Sequence, residues 1–443
     1  MSDPQMAPYG SWRSPITPDL IASESIGLGS IKVDGADLYW LESRPSEAGR
    51  LAIVRCAPDG TISEALPLPF NARTRVHEYG GGAYLLHEGT IYFSNFADQR
   101  LYRLRPGEPP EPLTPEAALR YADGVMDSRR QRILCVREDH RVTGQEATNT
   151  LVALSLAGND EAQVLVSGND FYSSPRLSPD GQWLTWLTWN HPHMPWDASE
   201  LWLAKIDADG SLKNAQRIAG GEGEAIVQPE WSPEGTLYFV SDQSGWSNLY
   251  RWRDGQAEQL LVMEAETGPL PWNFGGSTYA FASEQHLVFA YVRQGTWALA
   301  SLDTQGGAME PIETPYTDFW SLHTIGNHLF FVAGSPTEPP AIVQLDLESG
   351  QCTVLRRSMS VHVDPGYFAA PQPIEFPTEN GLTAYGFFYP PTNHHFVAPA
   401  GERPPLLVMS HGGPTAAVSN TLDLGIQYWT SRGIAVLDVN YGG

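Results

Sequence analysis

The sequence predicts an all-β propeller of seven blades followed by the beginning of an α/β domain. Three observations support this fold class. Residues from about 30 to 360 read as short strands and turns with almost no helical periodicity. This segment contains seven similar units, repeated about every 40 to 55 residues. After about residue 365 the pattern changes to a hairpin, a strand, a loop, a helix and a further strand.

Each repeated unit has the same internal order. A first strand leads to a tight turn, an aromatic strand follows, and a polar loop leads to another strand. Pro179-Asp180-Gly181 and Pro233-Glu234-Gly235 supply a fixed φ, an acceptor side chain and a residue free to adopt positive φ. Four strands per repeat indicate a β-propeller. A two-sheet sandwich is the less favoured alternative, since it requires no repeat.

The α/β part is predicted from residue 366 to residue 443. Asn380-Gly381 lies between two strand-like runs and indicates a hairpin. The run "PPLLVMS" is continuously apolar, and we expect it to form a strand buried on both faces. The run "GIAVLDVNYGG" is expected to form another buried strand. This order is typical of a doubly wound α/β domain.

A helix is predicted between those two strands. Leu422, Ile426 and Trp429 recur at helical spacing. Ser419 or Asn420 is the expected N-cap, and Gly433 the expected end.

The predicted α/β domain has few elements. About four strands and one helix cannot cover both faces of such a sheet. The strands at 406–409 and 434–439 are therefore expected to present open, apolar edges. The sequence predicts that this domain is incomplete and stops in its middle.

Composition excludes several classes of function. The chain has 443 residues, enough for at least two domains, and a formal charge of −24, which disfavours binding to nucleic acid or anionic membranes. It has no long apolar run and no secretory leader pattern, so no membrane partner is expected. Three isolated cysteines fit a reducing compartment, and we expect a cytoplasmic protein: Cys56, Cys135 and Cys352.

The apolar strand ends in His411-Gly412-Gly413-Pro414, a loop with few side chains. Without β-carbons at two positions, the backbone can approach a ligand and aim N–H groups at it, while the proline stiffens the exit. Two such donors aimed at one point stabilise the oxyanion of acyl transfer. In α/β-hydrolases one donor comes from the loop after the third strand, often with this motif. A simple strand–helix turn is the alternative.

These features together resemble the prolyl oligopeptidase family of serine peptidases (family S9), and most closely its acylaminoacyl-peptidase/dipeptidyl-aminopeptidase-like branch. The resemblance rests on "HGGP" and "QYWTSRGIAVLDVNYGG" after a seven-unit propeller, and on "GSWRSPIT", "RVHEYGGGAY", "SPRLSPDG" and "WNHPHMPWDASELW". It implies a seven-bladed β-propeller at 30–360, the N-terminal part of an α/β-hydrolase domain at 366–443, and a segment 1–29 that packs toward that domain. It also implies that the Gly413 N–H lines the oxyanion hole, supported by His411, Gly412 and Pro414.

The nucleophile that this family uses is not found in the sequence. The family's serine lies in a G-x-S-x-G turn, with its Asp and His further on. No serine here has glycine at both the second preceding and the second following position; Ser277 comes nearest. By the family order, all three catalytic residues are expected after Gly443. The 443-residue chain is therefore predicted to be inactive alone.

Other candidate residues lie in the propeller segment. Trp196, His77 and Tyr79 are candidates for a substrate path, and the alternative for "HEYGGG" is a β-turn with a packed tyrosine. His191 and His193 could in principle bind a metal, but two prolines stiffen their loop and no third ligand is evident, so we predict no metal site.

The sequence therefore predicts a serine peptidase that attacks short peptides through an acyl-enzyme and needs no cofactor. The alternatives are a non-catalytic propeller that binds a ligand and carries a vestigial hydrolase tail, and an esterase-like hydrolase. Short peptides are the expected partners, and the sequence is compatible with a homo-oligomer.

Overall fold

A computed structural model describes residues 3–22, 25–158, 162–268, 270–413 and 415–441. The N-terminal segment forms the short strand β1 (Gln5–Met6) and the one-turn helix α1 (Pro18–Ile21). Thr17 caps α1 by accepting a hydrogen bond from the Leu20 N–H. No helix within the described ranges is long and apolar enough to cross a membrane.

In the described residues, the chain from Gly27 to Arg357 folds into seven successive sheets of four antiparallel strands. Sheet 1 contains β2 (Gly27–Asp34), β3 (Asp37–Arg44), β4 (Arg50–Cys56) and β5 (Ile62–Glu64). Sheet 2 contains β6 (Tyr84–His87), β7 (Thr90–Ser94), β8 (Leu101–Leu104) and β9 (Glu111–Pro112). Sheet 3 contains β10 (Leu119–Asp127), β11 (Arg132–Asp139), β12 (Thr148–Ser155) and β13 (Gln163–Val166).

The later sheets have the same order. Sheet 4 contains β14 (Phe171–Leu177), β15 (Trp183–Trp189), β16 (Glu200–Ile206) and β17 (Leu212–Gly220). Sheet 5 contains β18 (Ile226–Trp231), β19 (Leu237–Ser241), β20 (Asn248–Arg253) and β21 (Gln256–Gln259). Sheet 6 contains β22 (Tyr279–Phe281), β23 (His286–Arg293), β24 (Thr296–Asp303) and β25 (Met309–Ile312). Sheet 7 contains β26 (Asp318–Ile325), β27 (His328–Ser335), β28 (Glu338–Asp346) and β29 (Cys352–Arg357). Four-stranded sheets in series are the arrangement found in a β-propeller.

The first and last sheets touch. Trp40 of sheet 1 lies in one buried cluster with Val332 and Ile342 of sheet 7. The Ile31 N–H donates to the Ser321 hydroxyl at 2.8 Å, and the two residues are 290 positions apart. Sheets far apart in sequence are thus joined by buried contacts.

After sheet 7 the chain forms a mixed sheet. Its strands are β30 (Gln372–Pro377), β31 (Thr383–Tyr389), β33 (Leu406–Ser410) and β34 (Ala435–Asn440), with the helix α2 (Leu424–Thr430) between the last two. The order is β30-β31-β34-β33, and β33 runs parallel to β34. The short strand β32 (Phe396–Val397) lies outside this sheet and pairs with β1.

Two sequence predictions for this region are wrong. Strand β33 is not buried on both faces: Leu406, Val408 and Met409 are exposed, because β33 is an edge strand in the described sheet. Strand β34 is not an edge, because β31 and β33 flank it.

The cap of α2 also differs from the prediction. The N-cap is Asp423, whose carboxylate accepts from the Gly425 and Ile426 N–H groups. Ser419 instead donates its hydroxyl to Asp318 of sheet 7, and Leu422 precedes the helix. A carboxylate directly before a helix satisfies its free N–H groups, so Asp423 takes the cap.

The N-terminal segment packs against α2. The Ile16 side chain is fully buried in a cluster with Phe368, Leu422 and Leu424. Arg432, just after α2, donates from Nη2 to the Ile16 carbonyl at 2.8 Å. The segment is thus tied to the mixed sheet through its helix.

Candidate active site

The loop after β33 lies close to the side chain of Trp272, which belongs to the loop between sheets 5 and 6. Gly413 has a φ of +68°, in the left-handed region that favours glycine. A Cβ at Gly413 would lie 3.8 Å from Cζ2 of Trp272, whereas a Cβ at Gly412 would meet nothing within 4 Å. Gly413 therefore lies close to Trp272, and Gly412 faces open space. Pro414 lies outside the described residues.

Tyr441 holds this loop from the other side. The His411 ring stacks on the Tyr441 ring, with centroids 4.1 Å apart and an interplanar angle of 16°. The Tyr441 hydroxyl donates to the Gly413 carbonyl. The carbonyl of Gly413 is thus engaged by a side chain from the end of β34.

Trp272 connects the loop to the rest of the site. Its Nε1–H donates to the Thr415 carbonyl at 2.9 Å. Its ring lies 4.3 Å from the Trp196 ring and 5.1 Å from the Tyr79 ring, measured between centroids. One indole therefore contacts both the loop after β33 and two residues that the sequence suggested for a substrate path.

These aromatic residues line a cavity of about 220 Å³. The structure brings His77 and Tyr79, which share one loop, together at this cavity with Trp196, which comes from a loop far away in the sequence. The other aromatic lining residues are Phe171, Trp189, Trp272 and Phe274. The cavity wall therefore contains several aromatic rings among aliphatic and polar residues, as ligand sites often do.

His77 is an aromatic wall residue. Burial lowers its pKa to about 4, although the nearby Glu138 opposes this shift. Its ring packs near Phe171 at 5.1 Å and Phe274 at 4.9 Å between centroids. At neutral pH the imidazole is uncharged, and it adds no positive charge to the cavity.

The glycines after Tyr79 permit a close backbone approach. Gly81 pairs with Phe274 across an isolated β-bridge. A Cβ at Gly81 would lie 2.5 Å from the Phe274 carbonyl oxygen, and one at Gly82 would lie 2.9 Å from the Asp123 Cα. The "GGG" run thus lets the segment after Tyr79 reach the loop that carries Trp272.

Arg176 contributes the charged group of the lining. It donates to Asp123 at 3.1 Å and to Glu230 at 2.6 Å. Burial alone would lower the pKa of Arg176, but the two carboxylates raise it overall. The guanidinium therefore stays protonated, with both of its acidic partners in place.

The remaining histidines show other contacts. His191 lies 3.0 Å from the Asp170 carboxylate through Nδ1. His394 packs against Tyr367 with ring centroids 4.5 Å apart. Among the described residues, no group of three His, Cys, Asp or Glu side chains could hold a metal ion.

Sequence reasoning missed Trp272, Tyr441 and Arg176 as site residues. Trp272 lies in "GPLPWNFGG", where a large aromatic side chain in a Gly- and Pro-rich loop was the available signal. Tyr441 and Arg176 lie in the motifs "VNYGG" and "SPRLSPDG", but nothing local indicates their partners, which lie far from them in sequence.

Comparison with solved structures gives close relatives. A Mycobacterium tuberculosis puromycin-hydrolyzing peptidase matches with a TM-score of 0.92 and 37% identity over 99% of this chain and 69% of that one. A puromycin hydrolase structure matches with a TM-score of 0.91 and 37% identity over 99% of this chain and 70% of that one.

A more distant match shares the fold. Prolyl oligopeptidase B from Galerina marginata has a TM-score of 0.72 and 12% identity, over 94% of this chain and 62% of that one. No protein-family model and no curated protein sequence matches the chain.

Proposed function

The chain belongs to the prolyl oligopeptidase family of serine peptidases (family S9), and we propose that it supplies the substrate-binding propeller and the oxyanion loop of an enzyme that hydrolyses short peptides. The observation that carries this proposal is the position of Gly413. It has positive φ, follows strand β33 and lies beside the aromatic cavity through Trp272.

The proposed chemistry is acyl transfer. A serine attacks the scissile carbonyl, the carbonyl oxygen becomes an oxyanion, and the Gly413 N–H donates a hydrogen bond to it. The intermediate collapses, the C–N bond breaks and the amine leaves with a proton from the histidine; water then hydrolyses the resulting acyl-enzyme to the acid and free serine. The serine, aspartate and histidine are proposed to lie beyond Gly443, because no serine of this sequence stands in a G-x-S-x-G turn. Neither a metal nor a cofactor takes part.

The domain organisation follows the family. We propose that the seven sheets close as one seven-bladed propeller at 30–360, and that 366–443 begins the hydrolase domain. Contacts between sheets 1 and 7 support closure of the ring. The packing of Ile16 beside Leu424 supports a role for segment 1–29 in holding the hydrolase part.

The relatives narrow the substrate class. The two similar proteins are a puromycin-hydrolyzing peptidase and a puromycin hydrolase. We propose that aminoacyl amides, including puromycin, are substrates of this enzyme, and the aromatic cavity beside Gly413 supports this proposal.

We propose a reducing compartment, the cytoplasm, for this protein. The described structure leaves the three cysteines as free thiols, and Cys56 and Cys135 are buried. Burial raises the pKa of Cys135 to about 12, so this thiol stays protonated and unreactive.

The proposal is tested with a form of the enzyme that carries the catalytic serine. Alanine and phenylalanine p-nitroanilides, their N-acetylated derivatives and puromycin are the substrates. We expect hydrolysis of at least one class, abolished by a fluorophosphonate and unchanged by a metal chelator. Failure to hydrolyse any of them, with peptide binding retained, would favour the non-catalytic binding module.

A further inference from the structure

Two arginines of the loop between sheets 1 and 2 lie against one aromatic ring. The guanidinium carbon of Arg73 lies 4.9 Å from the centroid of the Phe96 ring, and that of Arg75 lies 4.6 Å from it. The face of an aromatic ring attracts cations through its quadrupole. Both arginines are exposed. The ring thus holds two guanidinium groups close together at the surface, and we call Arg73 and Arg75 the arginine pair.

Neighbouring acids do not neutralise the arginine pair. Within the described ranges no ion pair joins either arginine to an acidic side chain, although the chain carries 51 Asp and Glu residues. Glu78 pairs with Arg120 at 2.8 Å instead. Asp98 accepts from the Asn95 amide at 3.0 Å and from the Tyr102 hydroxyl at 2.6 Å. Two like charges repel each other, and an anion bound between them would relieve that repulsion. The arginine pair therefore has the charge of an anion site.

Hydrogen bonds hold the backbone of the arginine pair in place. The Arg73 N–H donates to the Ser94 carbonyl at 3.0 Å. The Arg75 N–H donates to Oε1 of Gln99 at 2.8 Å, and the Arg75 carbonyl accepts from Nη1 of Arg120 at 2.9 Å. A ligand that binds here need not order the backbone first, which lowers the entropic cost of binding.

The same loop reaches the candidate active site. The Arg75 carbonyl also accepts from the Glu78 N–H at 2.9 Å, so the chain turns directly after the arginine pair. Tyr79 follows, with its ring centroid 5.1 Å from that of Trp272, and Trp272 lies beside Gly413. One end of the loop thus carries the arginine pair, and the other end borders the cavity. A peptide held beside Gly413 can follow this loop to the arginine pair.

A peptide with a free C-terminus carries one anionic group whatever its sequence, which is its terminal carboxylate. Guanidinium groups bind the planar carboxylate through paired hydrogen bonds. We propose that the arginine pair binds the C-terminal carboxylate of peptide substrates, with the rest of the peptide lying along the loop toward Gly413. This inference rests on the proposed function, and it adds a preference for short peptides with a free C-terminus.

Binding is tested on the 443-residue chain, because the arginine pair lies within it. Calorimetric titration compares tetraalanine with tetraalanine amide, which lacks the carboxylate. We expect the acid to bind about fivefold more tightly, a modest gain because the site is exposed. The double variant Arg73→Gln/Arg75→Gln should bind both peptides equally. Arg253→Gln is the matched control, since Arg253 is also exposed and ends strand β20. No preference in the unchanged chain, or the same preference in the double variant, would overturn the proposal.

Inorganic phosphate distinguishes a peptide site from a general anion site. Titrated alone, phosphate should bind more weakly than tetraalanine, because it makes no contact along the loop. Tighter binding of phosphate would overturn the assignment to a peptide carboxylate. High salt should reduce the preference for the peptide acid, because dissolved ions screen exposed charges. A preference that high salt leaves unchanged would show that the arginine charges do not cause it.

Kinetics in the form that carries the serine adds an internal control. The double variant should raise KM for tetraalanine about fivefold and leave kcat nearly unchanged, because the carboxylate has the same charge in the ground state and the transition state. Puromycin and alanine p-nitroanilide have no carboxylate, so their KM should stay the same. An unchanged KM for tetraalanine, or equal increases for all substrates, would overturn the proposal. If no substrate is turned over, the proposed function fails, while the titrations still decide the anion site.

Discussion

Two features of the backbone at Gly413 favour a residue without a side chain: its positive φ and the limited space beside Trp272. The φ of +68° would strain any residue with a Cβ by about 1 to 2 kcal/mol, and the space beside it is bounded by Trp272. Gly412 meets neither restriction, since its Cβ would find open space and its φ is not positive. The two adjacent glycines therefore differ in what substitution should do.

We expect Gly413→Val, in the form carrying the serine, to lower kcat by about two to three orders of magnitude. A side chain at this position intrudes toward the substrate carbonyl or turns the N–H away, and KM should change far less. Gly412→Ala is the control and should be much milder. Steady-state kinetics with an aminoacyl anilide measures both variants. Near-normal kcat in Gly413→Val would show that the loop is only a strand–helix turn.

His323 on β26 should make stability depend on pH. Burial, together with the positive charges of Lys32 and Arg176, lowers its pKa to about 3. The unfolded state binds a proton near the usual pKa of about 6.5, so stability is lost as pH falls below that value. We expect the urea midpoint to decrease from pH 7 to pH 5, and less so in His323→Gln. An identical pH dependence in the variant would contradict the pKa assignment.

The sequence could predict the loop that contains Gly413 but not the side chains that contact it. The loop could be predicted because its strand and its two glycines are adjacent in the chain. Trp272 could not, because its partner Thr415 is 143 residues away. Contacts over such a distance depend on how sheets and loops are arranged around one another.

Among the elements, β33 shows the limit of an apolar pattern. "PPLLVMS" correctly predicts a strand, and the parallel pairing of β33 with β34 fits the predicted α/β order. Burial, however, depends on what covers each face, and in the described residues Leu406 and Val408 are 53% and 58% exposed. Sequence thus predicted the strand but not its surroundings.

The helix α2 depends on its cap. Asp423 accepts from the Gly425 N–H at 2.6 Å and from the Ile426 N–H at 3.3 Å. We expect Asp423→Ala to lower the free energy of unfolding by about 1 kcal/mol, and Asp423→Asn to cost less because its amide oxygen still accepts. Urea denaturation followed by circular dichroism measures both variants. A larger loss of unfolding free energy in Asp423→Asn than in Asp423→Ala would contradict the capping role.

Over the whole molecule, each of the seven sheets is formed by residues close together in the sequence. The contacts between the first and last of these sheets join residues that are far apart in the sequence. Each sheet forms from a continuous piece of chain, such as Phe171–Gly220, so its turns and aromatic strands could be read from the sequence. The contact of Ile31 with Ser321 joins pieces 290 residues apart and has no local signature. The sequence repeat predicts the individual sheets, whereas the contacts between distant sheets are seen only in the structure.

The contact between sheets 1 and 7 should be worth measurable stability. Ser321→Ala removes the acceptor of the Ile31 N–H, which would remain buried without a partner. We expect a loss of about 1 to 3 kcal/mol in the free energy of unfolding. Ser46→Ala, at an exposed position in the short 3-10 turn Pro45–Glu47, is the control and should change stability little. Equal stability of the two variants would show that this bond does not help to join the sheets.

Our central proposal is that this chain provides the propeller and the oxyanion loop of a serine peptidase, but not its nucleophile. Labelling with a fluorophosphonate, read by intact-protein mass spectrometry, tests it most directly. We predict one label per molecule on the form that carries the serine, and none on the 443-residue chain. Stoichiometric labelling of the 443-residue chain would contradict the account, because it would place a reactive serine within this sequence.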